Sequence, residues 1–241
     1  MHKEFAEIYD VFMKHVDYKG WYKFLKSYMK NKGEVLDLGC GTGEFIYRFL
    51  KDGFSVTGVD ISADMLKIAE EKIKSKNIKI SSYKLIKDNI VSYSHIKKVD
   101  YVICNFDTVN YLENKKEFEK FIDKSAENLK KGGYLIFDAV TEEIFEEIFE
   151  NGIFLDEEPE YTSIWRYEKL SFEKYFVEID LFIKQKEEEN LFRKYNEQHN
   201  KFIYDPQWIV KTVQSKGFEI FDVAKNPDFG ESRIFFIFKK L

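Results

Sequence analysis

The sequence predicts a doubly wound α/β domain, a mostly parallel sheet with helices on both faces. Three observations lead there. Val35, Leu36 and Leu38 form a short apolar run that breaks into glycines at 39, 41 and 43, then into helical spacing at Phe45, Ile46, Phe49 and Leu50. That is the strand–loop–helix half of a βαβ unit. Apolar runs and helical periods keep alternating as far as Tyr134–Asp138, and strands interleaved with helices build a parallel sheet. From Ile153 to Tyr204 the helical period is lost and Tyr175–Lys184 alternates instead, which marks an antiparallel insertion.

A chain of 241 residues suits one such domain with room for the insertion. With 44% hydrophobic and 34% charged residues it can bury a substantial core and is not a disordered chain. The net charge of −5 disfavours a nucleic-acid backbone as main partner, although a local basic patch could survive that total. No apolar run reaches membrane-spanning length, and Met1-His2-Lys3-Glu4 lacks a signal-peptide pattern, so no membrane partner and a cytoplasmic location are expected. Only Cys40 and Cys104 are present, which gives neither a disulfide framework nor zinc-site spacing. Both are read as small apolar filler at neighbouring strands.

Residues 4–29 read as one or two helices, with Phe5, Ile8, Phe12, Val16, Trp21, Phe24, Leu25 and Tyr28 on apolar faces and a bend near Gly20. After the glycine loop, Ser55–Val59 is the second strand and ends in Asp60, 21 residues beyond Gly39. At that spacing a carboxylate on the tip of strand two reaches a ribose diol; Ser62 or Asp64 serves better as cap for the next helix, Ala63–Lys74. Strand three falls within Ile78–Ile86 and closes on Asp88-Asn89, which suits either an adenine edge or a plain turn. Strand four is Val99–Cys104, followed by the polar and aromatic run Asn105–Leu112. A helix over Lys115–Lys130 is stopped by Lys131-Gly132-Gly133 before strand five, Tyr134–Asp138. In the insertion Val177, Ile179, Leu181 and Ile183 share one face, with strands also at Thr162–Lys169 and Leu191–His199 and a charged turn over Gln185–Asn190. Asp205-Pro206 caps a helix to Lys216, and Phe218–Val223 with Arg233–Phe238 form a closing strand pair. The organisation expected is a core over residues 1–152 with N-terminal helices, the insertion over 153–204, and a return to the core over 205–241.

The glycine loop does not spell the dinucleotide fingerprint. Read from Gly39 the last position is Glu44, and from Gly41 it is Ile46, where glycine or alanine is required. Glu44 also sets a carboxylate where a pyrophosphate would sit, which weakens a nicotinamide oxidoreductase. The run Val35–Gly43 instead resembles motif I of class I S-adenosylmethionine (SAM)-dependent methyltransferases, whose ligand carries a sulfonium and no phosphate. The order of motifs over essentially the whole chain is similar to that class. Within it the chain looks most like the bacterial YqeM-like small-molecule methyltransferases, through Ile8-Tyr9-Asp10, Asp17-Tyr18 with Trp21, Phe106–Leu112, Phe137-Asp138 and Asn196-Glu197 with His199.

The resemblance implies a seven-stranded Rossmann-like sheet with the insertion as a substrate lid. It implies SAM as cofactor, its product S-adenosylhomocysteine, and methyl transfer to an N or O atom of a small molecule by a monomer or homodimer, with no metal. The cofactor is expected on Tyr9, Asp37, Gly39, Cys40, Gly41, Gly43, Asp60, Ile61, Asp88, Asn89, Asn105 and Phe106, and the acceptor on Tyr18, Trp21, Asn110 and Tyr111. Tyr9, Phe106 and Tyr111 are rings that could face the sulfonium, an attraction of about 0.5–2 kcal/mol each. Glu197 and His199, spaced i, i+2, share a strand face, and the carboxylate is expected to orient the imidazole and raise its basicity as a catalytic pair. The rival expectations are an RNA-nucleotide methyltransferase and a SAM-binding module without chemistry.

Overall fold

The structure, a computed structural model, describes residues 3–76, 82–149, 151–185 and 191–241. It opens with α1 (Lys3–Phe12), a 3-10 turn (Met13–His15) and α2 (Tyr18–Ser27). The break falls at residues 16–17 rather than at Gly20. Asp17 caps α2, its Oδ1 accepting from Gly20 N at 2.9 Å. A Cβ on residue 20 would collide with that carboxylate, so glycine here serves the cap.

The core then alternates as expected: β1 (Glu34–Leu38), α3 (Glu44–Lys51), β2 (Ser55–Asp60), α4 (Ala63–Ser75), β3 (Tyr83–Lys87) and β4 (Val99–Cys104). Part of the range expected for strand three, residues 78–81, lies outside the described residues. A 3-10 turn (Thr108–Tyr111) leads to α5 (Lys115–Asn128) and β5 (Leu129–Val140). Here Lys131-Gly132-Gly133 does not stop a helix. The helix ends at Asn128, and both glycines lie inside β5, where the register against β4 shifts and Gly132 takes φ +78°.

After α6 (Glu143–Ile148) come β6 (Ile153–Glu158), β7 (Tyr161–Lys169), β8 (Lys174–Lys184) and β9 (Phe192–Phe202), then α7 (Pro206–Ser215), β10 (Phe218–Ala224) and β11 (Arg233–Lys240). Strand β6 has no counterpart in the sequence reading, because the acidic end Asp156-Glu157-Glu158 hides its alternation. The charged turn within Gln185–Asn190 lies outside the described residues except for Gln185.

Seven strands form one sheet in the order β10-β11-β5-β4-β1-β2-β3, with β11 antiparallel to both neighbours and the rest parallel. The order reverses between β1 and β4, so the loops after those strands face each other across a crevice at their C-terminal ends. Phe118, Phe121, Phe137, Phe236 and Phe238 pack one face with α5 and α7. Trp21, Phe45, Phe49 and Phe235 pack the other with α2 and α3. Cys104 lies in the first cluster and Cys40 in the second, both buried among apolar atoms.

The second sheet is fully antiparallel, β6-β7-β8-β9. Its inward face carries Val177, Ile179 and Leu181, buried against Ala6, Ile8 and Phe12 of α1, Met65 of α4 and Phe145 of α6. Helix α1 is thereby held between the insertion and the core, and β9 lies against the 3-10 turn that follows β4.

Candidate active site

The loop after β1 is shaped by three left-handed glycines, Gly39 (φ +76°), Gly41 (φ +52°) and Gly43 (φ +76°). Gly39 and Cys40 donate from their backbone N–H groups to Val59 O at 2.8 and 3.1 Å, which ties the loop to β2. The glycines serve different ends. A Cβ on Gly39 would press on the Thr108 methyl at 2.5 Å, whereas a Cβ on Gly41 would meet nothing within 4 Å. The loop is therefore packed on one side and open on the other.

Two carboxylates stand under it. Asp60 takes Gly41 N on Oδ2 and Ser62 N on Oδ1, both at 2.8 Å. Burial raises its pKa. Asp37 is 2% exposed, and its Oδ2 has no hydrogen-bond partner among the described residues. Burial, with Asp60 close by, pushes its carboxyl up to about 8. Asn105, at the end of the neighbouring strand β4, is also buried; its Oδ1 accepts from Trp21 Nε1 at 3.2 Å while its Nδ2 has no partner among the described residues. A buried acceptor and a buried donor thus wait at adjacent strand ends, which fits the ammonium and carboxylate of an amino-acid ligand.

Glu44, at the start of α3, meets Lys72 Nζ at 2.8 Å and Arg48. Burial opposes its charge, but those two cations outweigh it and hold the carboxyl below the ordinary glutamate range. Lys72 also reaches Asp10 at 2.8 Å and Thr42 Oγ1 at 3.0 Å, and Thr42 donates to Asp10 Oδ1 at 2.7 Å. The network fastens α1 to the glycine loop.

Across the crevice the chain is strained. Phe106 (φ +58°) and Asp107 (φ +45°) are successive left-handed residues with side chains, an arrangement costing about 1–3 kcal/mol per residue. Buried charges hold the turn. Asp107 N donates to Asp138 Oδ2 at 2.8 Å, Asp107 Oδ1 faces Arg233 Nη2 at 3.2 Å, and Asp107 Oδ2 pairs with Lys201. Arg233 pairs as well with Asp138, which is 0% exposed. Burial opposes ionisation of Asp107, yet Lys201 and Arg233 lower its pKa overall. Burial dominates at Asp138 and raises its pKa.

The inward face of β9 supplies Glu197, His199 and Lys201 in succession. Glu197 and His199 are both buried, at 4% and 8% exposure, and do share that face. The expected rise in imidazole basicity is corrected: burial first, then the Lys201 charge, pushes His199 down to about 3. It is a neutral ring at physiological pH and a weak base. Its ring stands edge-on to Tyr111 at 5.6 Å, and Lys201 Nζ lies 3.4 Å from the Tyr111 ring centroid. Tyr9 approaches from α1; burial and then the neighbouring Tyr18, Tyr111 and Asp107 raise its pKa.

Two acceptor residues expected from the sequence are corrected. Asn110 is 0% exposed and spends its amide on Val140 N and O and on Phe202 O, joining β5, β9 and the 3-10 turn. Trp21 is 2% exposed, stacked on Phe106 at 4.2 Å with its N–H on Asn105; it supports the site from below. Cys40 donates its backbone N–H to Val59 O, and its thiol is filler beside Gly58. Tyr18 borders a cleft of about 330 Å³ with Asp10, Glu44 and Arg48, Tyr111 is 43% exposed, and Ile61 projects at 67% exposure beside Asp60. Asp88 and Asn89 are exposed beyond β3, and each accepts a local backbone N–H as a turn residue does, at 2.7 and 3.0 Å.

Sequence reasoning passed over Lys201 and Arg233. Lys201 was reachable, since 197, 199 and 201 continue one face of a strand; Arg233 gave no local signal. Among the described residues no group of three or more His, Cys, Asp or Glu side chains is placed to hold a metal ion.

A family model described as a methyltransferase domain matches residues 29–196, which span both sides of the crevice. The chain belongs to this methyltransferase domain family. A candidate methyltransferase of Geobacillus sp. (strain WCH70) is 29% identical over 99% of both chains. YqeM of Bacillus subtilis (strain 168), likewise a candidate methyltransferase, is 27% identical over 98% of this chain and 96% of its own. The fold matches a SAM-dependent methyltransferase from Clostridium acetobutylicum ATCC 824 with a TM-score of 0.86 at 24% identity over 98% of both chains. It also matches KedS8, a sugar N-methyltransferase from Streptoalloteichus sp ATCC 53650, with a TM-score of 0.72 at 15% identity over 95% of this chain and 92% of that one. The glycine loop is open on the Gly41 side, and Asp37 Oδ2 and Asn105 Nδ2 have no hydrogen-bond partner among the described residues, which leaves both space and polar groups for a ligand of this methyltransferase.

Proposed function

We propose that this methyltransferase acts on an N or O atom of a small molecule, bound between the β4 turn and the inward face of the inserted sheet. When bound, SAM supplies an electrophilic methyl group on a cationic sulfur. The chain's own residues do the rest. Asp37 takes the ammonium of the cofactor's amino-acid end and Asn105 Nδ2 its carboxylate. Asp60 takes the ribose hydroxyls, and Ile61 with Asp88 and Asn89 frames the adenine. Tyr9 and Phe106 turn ring faces to the sulfonium, which they attract by about 0.5–2 kcal/mol each when well placed, whereas the Tyr111 face carries the Lys201 ammonium.

The observation that carries the reading is the roof. Strand β9 lies against the 3-10 turn beside Tyr111, with α1 beneath the same sheet. An enclosure of that kind suits a small acceptor and makes residues 153–204 its lid. The likeness in fold to KedS8 supports the same class of acceptor. His199, neutral and buried, orients the acceptor by hydrogen bonding, and alignment alone can supply about 7–11 kcal/mol in ideal cases.

Methyl-labelled SAM added to a cell extract tests this. Label is expected in the low-molecular-weight fraction only when the protein is present. Label confined to RNA or protein overturns the small-molecule reading.

A further inference from the structure

We propose that Asp107, Tyr111 and His199 form an ammonium-binding subsite of the acceptor pocket, and that Lys201 occupies it in the ligand-free protein. The inference rests on the reading of this cleft as the acceptor site. A carboxylate, an aromatic face and a neutral imidazole converge here, the set that recognises an organic ammonium. Lys201 already shows the fit: its Nζ pairs with Asp107 and sits 3.4 Å from the Tyr111 ring centroid, with His199 edge-on to that ring at 5.6 Å.

The two partners differ in freedom. Asp107 is fixed, held by Asp138 through its backbone N–H and by Arg233 through Oδ1. Lys201 hangs on a four-carbon stem and also lines a cavity of about 300 Å³ with Glu113, Lys174, Asn200 and Phe202. The flexible partner has somewhere to go, with the Glu113 carboxylate at the wall. Once Lys201 withdraws, Asp107 and Asp138 share Arg233 as their one remaining cation, and the Asp107 Oδ2 atom loses its partner. The vacated position then favours a primary or secondary amine arriving as its ammonium.

The probe is n-propylammonium, which restores the atoms removed by Lys201→Ala. Calorimetry should find saturable binding to Lys201→Ala at least tenfold tighter than to wild type. Neutral n-butanol should not bind, and Asp107→Asn in the same background should abolish propylammonium binding. The wild-type protein gives an independent reading if the variant is too unstable to purify. There the Lys201 Cε–Hε resonance, shifted by the Tyr111 ring, should move toward a solvent-exposed lysine position as propylammonium is added. Equal binding of propylammonium and butanol overturns the subsite, as does a wild-type Lys201 resonance that stays in place at saturating probe. SAM affinity measured on the same samples separates the two readings. A Lys201→Ala protein that binds SAM and not propylammonium removes the subsite alone, whereas a wild type that ignores SAM removes the methyl-transfer reading.

Discussion

Gly41→Val is expected to abolish SAM binding while the protein stays folded. Gly41 is left-handed at φ +52°, and its missing Cβ points where no atom lies within 4 Å. Valine there costs backbone strain of about 1–3 kcal/mol, while its Cβ meets no atom of the chain within 4 Å. Its methyl groups fill the open side of the loop. Calorimetry should show no heat of binding with SAM or S-adenosylhomocysteine, and thermal unfolding should remain cooperative. A folded variant with undiminished affinity would take the glycine loop out of the site.

Arg233→Met is expected to have the largest effect on stability. Arg233 is the shared cation of Asp107 and Asp138, and Asp138 is 0% exposed. Removing one member of a buried ion pair costs about 3–5 kcal/mol, a large part of the 5–15 kcal/mol typical of a domain. Urea unfolding at pH 7 should read that loss, with Arg233→Lys intermediate because an ammonium cannot reach both carboxylates as a guanidinium does. The sign with pH follows from Asp138, whose pKa is already raised by burial. A raised carboxyl holds its proton in the folded state where the unfolded chain has lost it, so folding gains as pH falls through that window. Losing Arg233 raises it further, and the deficit of the variant should shrink on acidification. A deficit unchanged from pH 7 to pH 5 would mean that Asp138 is not the group left exposed to the cost.

The alternation up to β5 was legible because β1, β2, β4 and β5 each carry a short cluster of buried apolar residues bounded by glycine or a polar turn, whereas β3, Tyr83–Lys87, is only partly buried and has a weaker pattern. The glycine loop and Asp60 were legible because their spacing is local. The ionic cluster was not. Asp107 and Arg233 are 126 residues apart and Asp107 and Lys201 are 94 apart. Only the pairing of β11 on β5 and the fall of β9 onto the 3-10 turn bring them together. Trp21 and Asn110 show another limit. Polar and aromatic residues in a motif-rich stretch read as ligand-facing, but sequence gives residue type and not direction, and both are spent inside the core. For His199 the i, i+2 spacing correctly gave the shared face with Glu197, while its lowered pKa follows from burial on the inward face of the second sheet and from the Lys201 charge, which no local pattern reveals.

Proton release on cofactor binding tests the central claim most directly. Burial, with Asp60 close by, pushes the Asp37 carboxyl up to about 8, which keeps it protonated at pH 6.5. The α-amino group of SAM is already an ammonium at that pH. If Asp37 receives that ammonium, it must ionise as the complex forms. Calorimetry at pH 6.5 in buffers of different ionisation enthalpy should then report release of about one proton per SAM bound. The release should vanish in Asp37→Asn. Binding without proton release in wild type, or the same release in Asp37→Asn, would contradict the placement of the cofactor on the glycine loop above Asp37.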